Sequence, residues 1–381
     1  MKYDFDTLTN RVGTYCCKWE EYDIPNALPM TIADMDFEIA PKIKEAVINP
    51  NRPFACGYSY IPDDYYEAIV SWWNRRHNAG ISKDMVVYAN GVICAISSIV
   101  RKLTTPGENI LLQFPVYNTF FNSVLNNGRN LVSSDLTYKD GKYSIDWEDL
   151  EKKLSDKQTS LMIVCNPHNP IGKNWNKEEL ARIGELARKY GVQVVSDEIH
   201  CDVQEPGNEY TPYLSASKEN FETGIMLVST SKTFNMAGFH AAAAIVPNPI
   251  LRHKVWRGLN TDECAEPNFF AIPASLAAYN ESEDWVEEVN AYIAENKKYV
   301  RDALEGSNYK EVSGPATYLL WIDISKVTYD DEDFADRLAK ETGLVLNAGS
   351  HYKAKGFVRM NVATQKSRVV DAINRLKNFK Y

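Results

Sequence analysis

The chain has no excess of basic residues. Its 51 Asp and Glu against 42 Lys and Arg leave a net charge of −9, so nucleic-acid binding has no electrostatic support. It also has no apolar run approaching the length of a membrane-crossing helix, and its opening MKYDFDTLTNR holds no apolar signal segment. The seven cysteines, at positions 16, 17, 56, 94, 165, 201 and 264, include neither a CxxC pair nor a zinc spacing. They are expected to be reduced and mostly structural, with no metal site, which fits a reducing, cytoplasmic compartment. No internal repeat or low-complexity tract is present. What remains is a chain of 381 residues, long enough to bury a substantial core in one large domain or two.

The stretch Ser229-Thr230-Ser231-Lys232-Thr233-Phe234-Asn235-Met236-Ala237-Gly238 organises the rest. It lies between two apolar runs, Ile225 to Val228 and Ala241 to Val246, each the length of a buried strand. Lys232 is therefore expected on a turn between core strands. Burial lowers a lysine's pKa, and the neutral amine forms a Schiff base with an aldehyde. Ser229 and Ser231 add hydroxyls of the kind that bind phosphate oxygens. An aldehyde and a phosphate together point to pyridoxal 5'-phosphate (PLP).

The first 45 residues read as irregular, broken by Pro25, Pro29 and Pro41. Helix and strand signals then alternate. A helix is expected from Asp63 to about His77, a strand over Met85–Tyr88, and a helix from Val92 to Leu103 after the Asn90-Gly91 turn. Ile110–Leu112 and Leu161–Val164 read as strands, Lys177–Tyr190 as a helix, and Val192–Val195 as a strand. This alternation predicts an α/β fold with a mostly parallel sheet. After Pro247-Asn248-Pro249 the pattern changes to α+β: helices over about Ser282–Leu304, Asp331–Thr342 and Gln365–Phe379, with strands over Tyr318–Asp323 and Phe357–Val362. The expected organisation is a large domain over 46–285 and a small one over 286–381, with residues 1–45 packing against the latter.

Four features fall at strand ends, where open α/β sheets place ligands. Asn166-Pro167-His168-Asn169-Pro170-Ile171-Gly172 is a rigid loop in which the Asn169 amide can reach a ring oxygen. Asp197-Glu198-Ile199-His200 offers a carboxylate that keeps a pyridine nitrogen protonated, so the ring becomes an electron sink, and His200 can donate to the ring hydroxyl. Lys232 is the third. The fourth is Arg359, in an apolar strand, which needs an anion: a substrate carboxylate or a structural ion-pair partner.

In this order the four resemble the fold type I PLP enzymes of the class I/II aminotransferase superfamily, over nearly the whole chain. Within it the sequence is similar to the cystathionine β-lyase-like C–S lyases. That closer likeness rests on Lys18-Trp19, on Ile32-Ala33-Asp34-Met35-Asp36-Phe37, on Gly57-Tyr58 and on Trp73 with Arg75-Arg76-His77. It rests also on Pro115-Val116-Tyr117, on the Asn166-to-Gly172 loop and on Ser231-to-Gly238. There are departures. Where many aminotransferases carry an arginine eight residues after the lysine, this chain has His240, as the C–S lyase branch also lacks that arginine. Ile32 replaces the branch's tryptophan, the loop His351–Gly356 is shortened, and Val362-Ala363-Thr364-Gln365 follows Asn361.

The resemblance implies that Lys232 holds PLP, that Asp197 pairs with the pyridine nitrogen, and that Asn169 and His200 approach the ring hydroxyl. Tyr117 would stack on the ring. Ser229, Ser231 and the backbone of Val92 and Ile93 would take the phosphate. Arg359 would bind the substrate carboxylate near Ala33, and Tyr58 would reach the phosphate of the neighbouring subunit in a homodimer with shared sites. The implied activity is α,β-elimination of cystathionine or a related cysteine S-conjugate. An aminotransferase using the same residues stays open, as does a PLP-bound regulatory protein acting through protein contacts.

Overall fold

The computed structural model describes residues 2–381. Its centre is a seven-stranded sheet. In spatial order the strands are Val86–Ala89, Ala242–Ile245, Gly224–Ser229, Gln193–Asp197, Thr159–Cys165, Asn109–Leu112 and Asn130–Ser133. All run parallel except Ala242–Ile245, which is antiparallel to both neighbours. Both faces of this sheet are covered. Val87, Leu161, Ile163 and Leu227 pack into one apolar layer, while Tyr88, Met162, Val164 and Met226 pack into the other. Alternate residues of one strand thus enter opposite cores, which is why these strands read as continuous apolar runs.

Helix limits follow local chemistry. Lys177–Tyr190 begins at a capping box between Asn176 and Glu179 and stops at Gly191, whose φ of 75° suits a residue without a Cβ. Asp63–His77 carries Asp63 and Asp64 in its first turn and Arg75, Arg76 and His77 in its last, both favoured by the helix dipole. The N-terminal segment is less irregular than expected, since Cys17–Glu20 and Pro41–Val47 form short helices. Pro41 opens the latter at a position where a missing N–H costs nothing.

A four-stranded antiparallel sheet, in the order Lys310–Glu311, Leu319–Asp323, Phe357–Asn361, Asn347–Ala348, forms a second layer. The helix Glu283–Leu304 runs through position 286, and residues Leu28–Pro29 pair in parallel with Leu344–Val345. The N-terminal segment is therefore tied to C-terminal residues. Among the described residues no helix is long and apolar enough to cross a membrane.

Candidate functional site

Register places the site. Cys165 pairs with Asp197, and Asp197 with Leu227, so the strand ends bearing the Asn166 loop, Asp197 and the Lys232 stretch lie along one sheet edge. A cavity of about 480 Å³ opens there. Lys232, Asp197, His200 and Asn169 line it, and so do Tyr117 and Ala33. At one end it meets Gly91, Val92 and Ile93; Ser229 and Ser231 close the same region.

Lys232 departs from the expected turn. It sits on a one-turn helix, Thr230–Thr233, because the Ser229 hydroxyl caps it by accepting from the Ser231 N–H at 3.1 Å. The Lys232 Nζ donates to the Ala33 carbonyl at 2.7 Å. Burial lowers its pKa to about 8, against the opposing pull of Asp34. Asp197 ends its strand rather than following it, and burial raises its carboxyl to about 7. The only hydrogen bond that its carboxylate accepts among the described residues comes from the Ile199 N–H at 3.2 Å. His200 is also buried, so its charged form is strongly disfavoured, and its Nδ1 has no partner among the described residues.

Arg359 lies just behind the cavity. It donates to Asn169 Oδ1 at 3.2 Å, to the Thr31 carbonyl at 2.8 Å and to Asn347 Oδ1 at 3.1 Å, and its guanidinium lies over the Tyr352 ring. It is 4% exposed, yet no described carboxylate pairs with it, and its Nε is unpartnered. The ion-pair alternative left open by the sequence therefore has no partner among these residues. With its Oδ1 occupied by Arg359, Asn169 has its NH2 group left to offer.

The far end of the cavity is built for an anion. Gly91, with φ of 140°, precedes the helix Val92–Leu103, whose first-turn N–H groups lack intrahelical acceptors. The Ser229 hydroxyl donates to the Ala241 carbonyl at 2.7 Å, which leaves Ser231 as the freer donor of the two. Tyr58 is not brought into the cavity; it is fully exposed beside a separate one that includes Phe269.

Two buried carboxylates behind the site were not singled out from sequence. Glu198 accepts from Asn166 Nδ2 at 3.3 Å, from the Ser196 hydroxyl at 2.6 Å, from the Tyr213 N–H at 2.9 Å and from the Tyr210 hydroxyl, and so anchors the loop carrying Asn169. Asp202 accepts from Trp72, Arg76, His77 and Thr233, the residue after Lys232. Its neighbour Cys201 is buried, as expected of a structural thiol. The one available signal for Glu198 was its place beside Asp197.

The aminotransferase class I and II family model matches residues 8–376. The chain belongs to this family. Among its relatives in the class I and II family is the cystathionine beta-lyase PatB of Bacillus subtilis (strain 168), 35% identical over 98% of this chain and 99% of PatB. Cystalysin from Treponema denticola, whose structure contains a pyridoxal 5'-phosphate cofactor, superposes with a TM-score of 0.95 at 29% identity, covering 99% of this chain and 98% of that one. The PLP-bound C–S lyase from Staphylococcus hominis gives a TM-score of 0.91 at 30% identity, covering 98% and 97%.

Proposed function

We propose that the protein is a PLP-dependent carbon–sulfur lyase that converts cystathionine, or a related cysteine S-conjugate, to pyruvate, ammonia and a thiol. One observation carries the reading. A lysine, an aspartate and an arginine, none in a salt bridge with a described residue, converge on one buried site. Buried charges without partners are costly, so such a trio is expected to have one in the working enzyme.

The residues fit PLP. Asp197 has room for a protonated pyridine nitrogen, the unpartnered His200 Nδ1 and the Asn169 amide suit a ring oxygen, and the Tyr117 ring suits a stacked face. The Val92 and Ile93 N–H groups with Ser231 suit a phosphate. When bound, PLP supplies the electron sink that stabilises negative charge at the substrate's α-carbon.

The chain's own residues do the rest. Arg359 would take the substrate carboxylate and so fix the α-carbon's orientation. Lys232, whose pKa burial lowers to about 8, would be the group placed to take the substrate's α-proton when its amine is free and uncharged. Asp197, ionised opposite the ring, holds the electron sink in its active form. A thiolate then leaves the β-carbon, and hydrolysis of the remaining fragment gives pyruvate and ammonia. We also propose a large domain over 46–285, a small one over 286–381, a cytoplasmic homodimer, and Tyr58 serving the partner's phosphate; the pairing of Leu28–Pro29 with Leu344–Val345 supports the packing of residues 1–45 with the small domain.

Pyruvate release from L-cystathionine or L-cystine, with no keto acid present, tests this. Pyruvate in step with free thiol is expected. Bleaching of the cofactor band by an amino acid and recovery with a keto acid, without pyruvate, would mean an aminotransferase.

A pH effect follows from Asp197. Its carboxyl rises from 3.8 to about 7 in the cofactor-free protein, so the fold loses stability as pH climbs between those values. A cationic ring nitrogen opposite Asp197 removes that loss, whereas Glu198, raised likewise, contributes equally with and without cofactor. The gap in melting temperature between loaded and cofactor-free protein is therefore expected to widen from pH 5 to pH 7, by several degrees. A gap independent of pH would contradict the pairing.

A further inference from the structure

Residues Thr31 to Asp34 form a strap across the mouth of the site, and side chains from the small sheet hold each of its carbonyls. Arg359 Nη2 takes Thr31 at 2.8 Å, while Asn361 Nδ2 takes Ile32 at 2.6 Å and Asp34 at 2.7 Å. Between them, the Ala33 carbonyl accepts from two donors, Lys232 Nζ at 2.7 Å and the Tyr318 hydroxyl at 2.9 Å. Tyr318 is fully buried at the head of the strand Leu319–Asp323, and its own carbonyl accepts from the Val362 N–H at 2.9 Å. Its ring packs edge-on to His200 at 5.7 Å. It therefore has little freedom, and it pins a carbonyl whose neighbours on both sides are also fixed.

We infer that Tyr318 is a positioning residue for Lys232: with the Ala33 carbonyl it builds the place where the lysine amine rests whenever it is not bonded to cofactor. This rests on the PLP reading above. On binding, an amino acid's nitrogen takes over the bond to the cofactor carbon, and Lys232 leaves as a free amine with no net change in electrons or protons. Whatever stabilises that free amine favours amino-acid binding. Groups that bind cofactor alone, or the carboxylate alone, do not share the effect. A carbonyl is a fitting acceptor because it accepts from the amine in both its neutral and its charged form.

The test is Tyr318→Phe in the PLP-loaded enzyme, read by absorbance titration. L-Alanine has no leaving group at its β-carbon, so its binding reports displacement of Lys232 without β-elimination. Propionate offers a carboxylate and no amine. In Y318F the Kd for L-alanine is expected to rise about fivefold, the scale of one hydrogen bond. The Kd for propionate should stay within about twofold, and the Kd for PLP should fall rather than rise, because bonding the cofactor takes the amine out of that resting place. An unchanged L-alanine Kd would overturn the inference. So would equal weakening of L-alanine and propionate, because Tyr318 would then act through the carboxylate site. Failure of the wild-type protein to take up PLP at all would sink the cofactor reading itself, and this inference with it.

Discussion

Lys232→Ala is expected to abolish pyruvate release, by at least about a thousandfold, and to remove the visible absorbance of lysine-bound cofactor. The size follows from two losses. The variant has no amine to hold the cofactor's aldehyde, and no base within reach of the α-proton. No nearby group replaces it. Asp197 and His200 line the same cavity, but in the proposed arrangement the first is committed to the ring nitrogen and the second to the ring hydroxyl. The Tyr318 hydroxyl is buried well above its ordinary pKa, with burial the main cause, so it is no base at neutral pH. Steady-state pyruvate assays and a spectrum of the purified variant check both halves. Retained turnover would refute the assignment of Lys232.

Asp197→Asn is expected to lower turnover by about a hundred- to a thousandfold, as loss of a preorganised charge does. An amide of the same shape keeps the packing but no longer favours a protonated ring nitrogen. The cofactor-free form should respond in the opposite sense. Because its carboxyl is raised to about 7, the wild type loses stability as pH climbs from 3.8 to that value and does not regain it above, whereas the amide has no proton to lose. Cofactor-free D197N should therefore melt above the wild type at pH 8, and the difference should shrink as pH falls, vanishing only below about 3.8, where the carboxyl is protonated in the unfolded chain as well as in the folded one. Turnover and melting moving down together at pH 8 would mean that Asp197 is structural.

Much of this was legible before the structure because it is local. Capping chemistry fixes Lys177–Tyr190 and Asp331–Thr342 at their expected limits. Lys232, Asp197 and Asn169 stand out because each comes at or just after the end of an apolar run, and strand ends converge in open α/β sheets. What was missed is non-local or balanced on a few atoms. The one-turn helix under Lys232 depends on a single serine cap, which spacing alone does not reveal. Tyr318 reads as one more apolar strand residue until the chain brings it against Ala33, 285 residues away. Glu198 and Asp202 resemble solvated acids until the Asn166 loop, His77 and Arg76 close around them. The strand beginning at Ala242 runs against its neighbours, a reversal that its apolar composition does not announce.

The strap also sets a timetable for synthesis. Thr31, Ile32 and Asp36 leave the ribosome among the first residues made, but their partners Arg359, Asn361 and Gln365 are among the last, separated from them by up to 329 residues. At about 5–20 residues per second, that gap lasts on the order of a quarter-minute to a minute. Throughout it the nascent chain can complete its central sheet but not the mouth of its site. Lys232 therefore emerges before the carbonyl that receives it is fixed in place, and the reactive amine acquires its setting only when translation is nearly over.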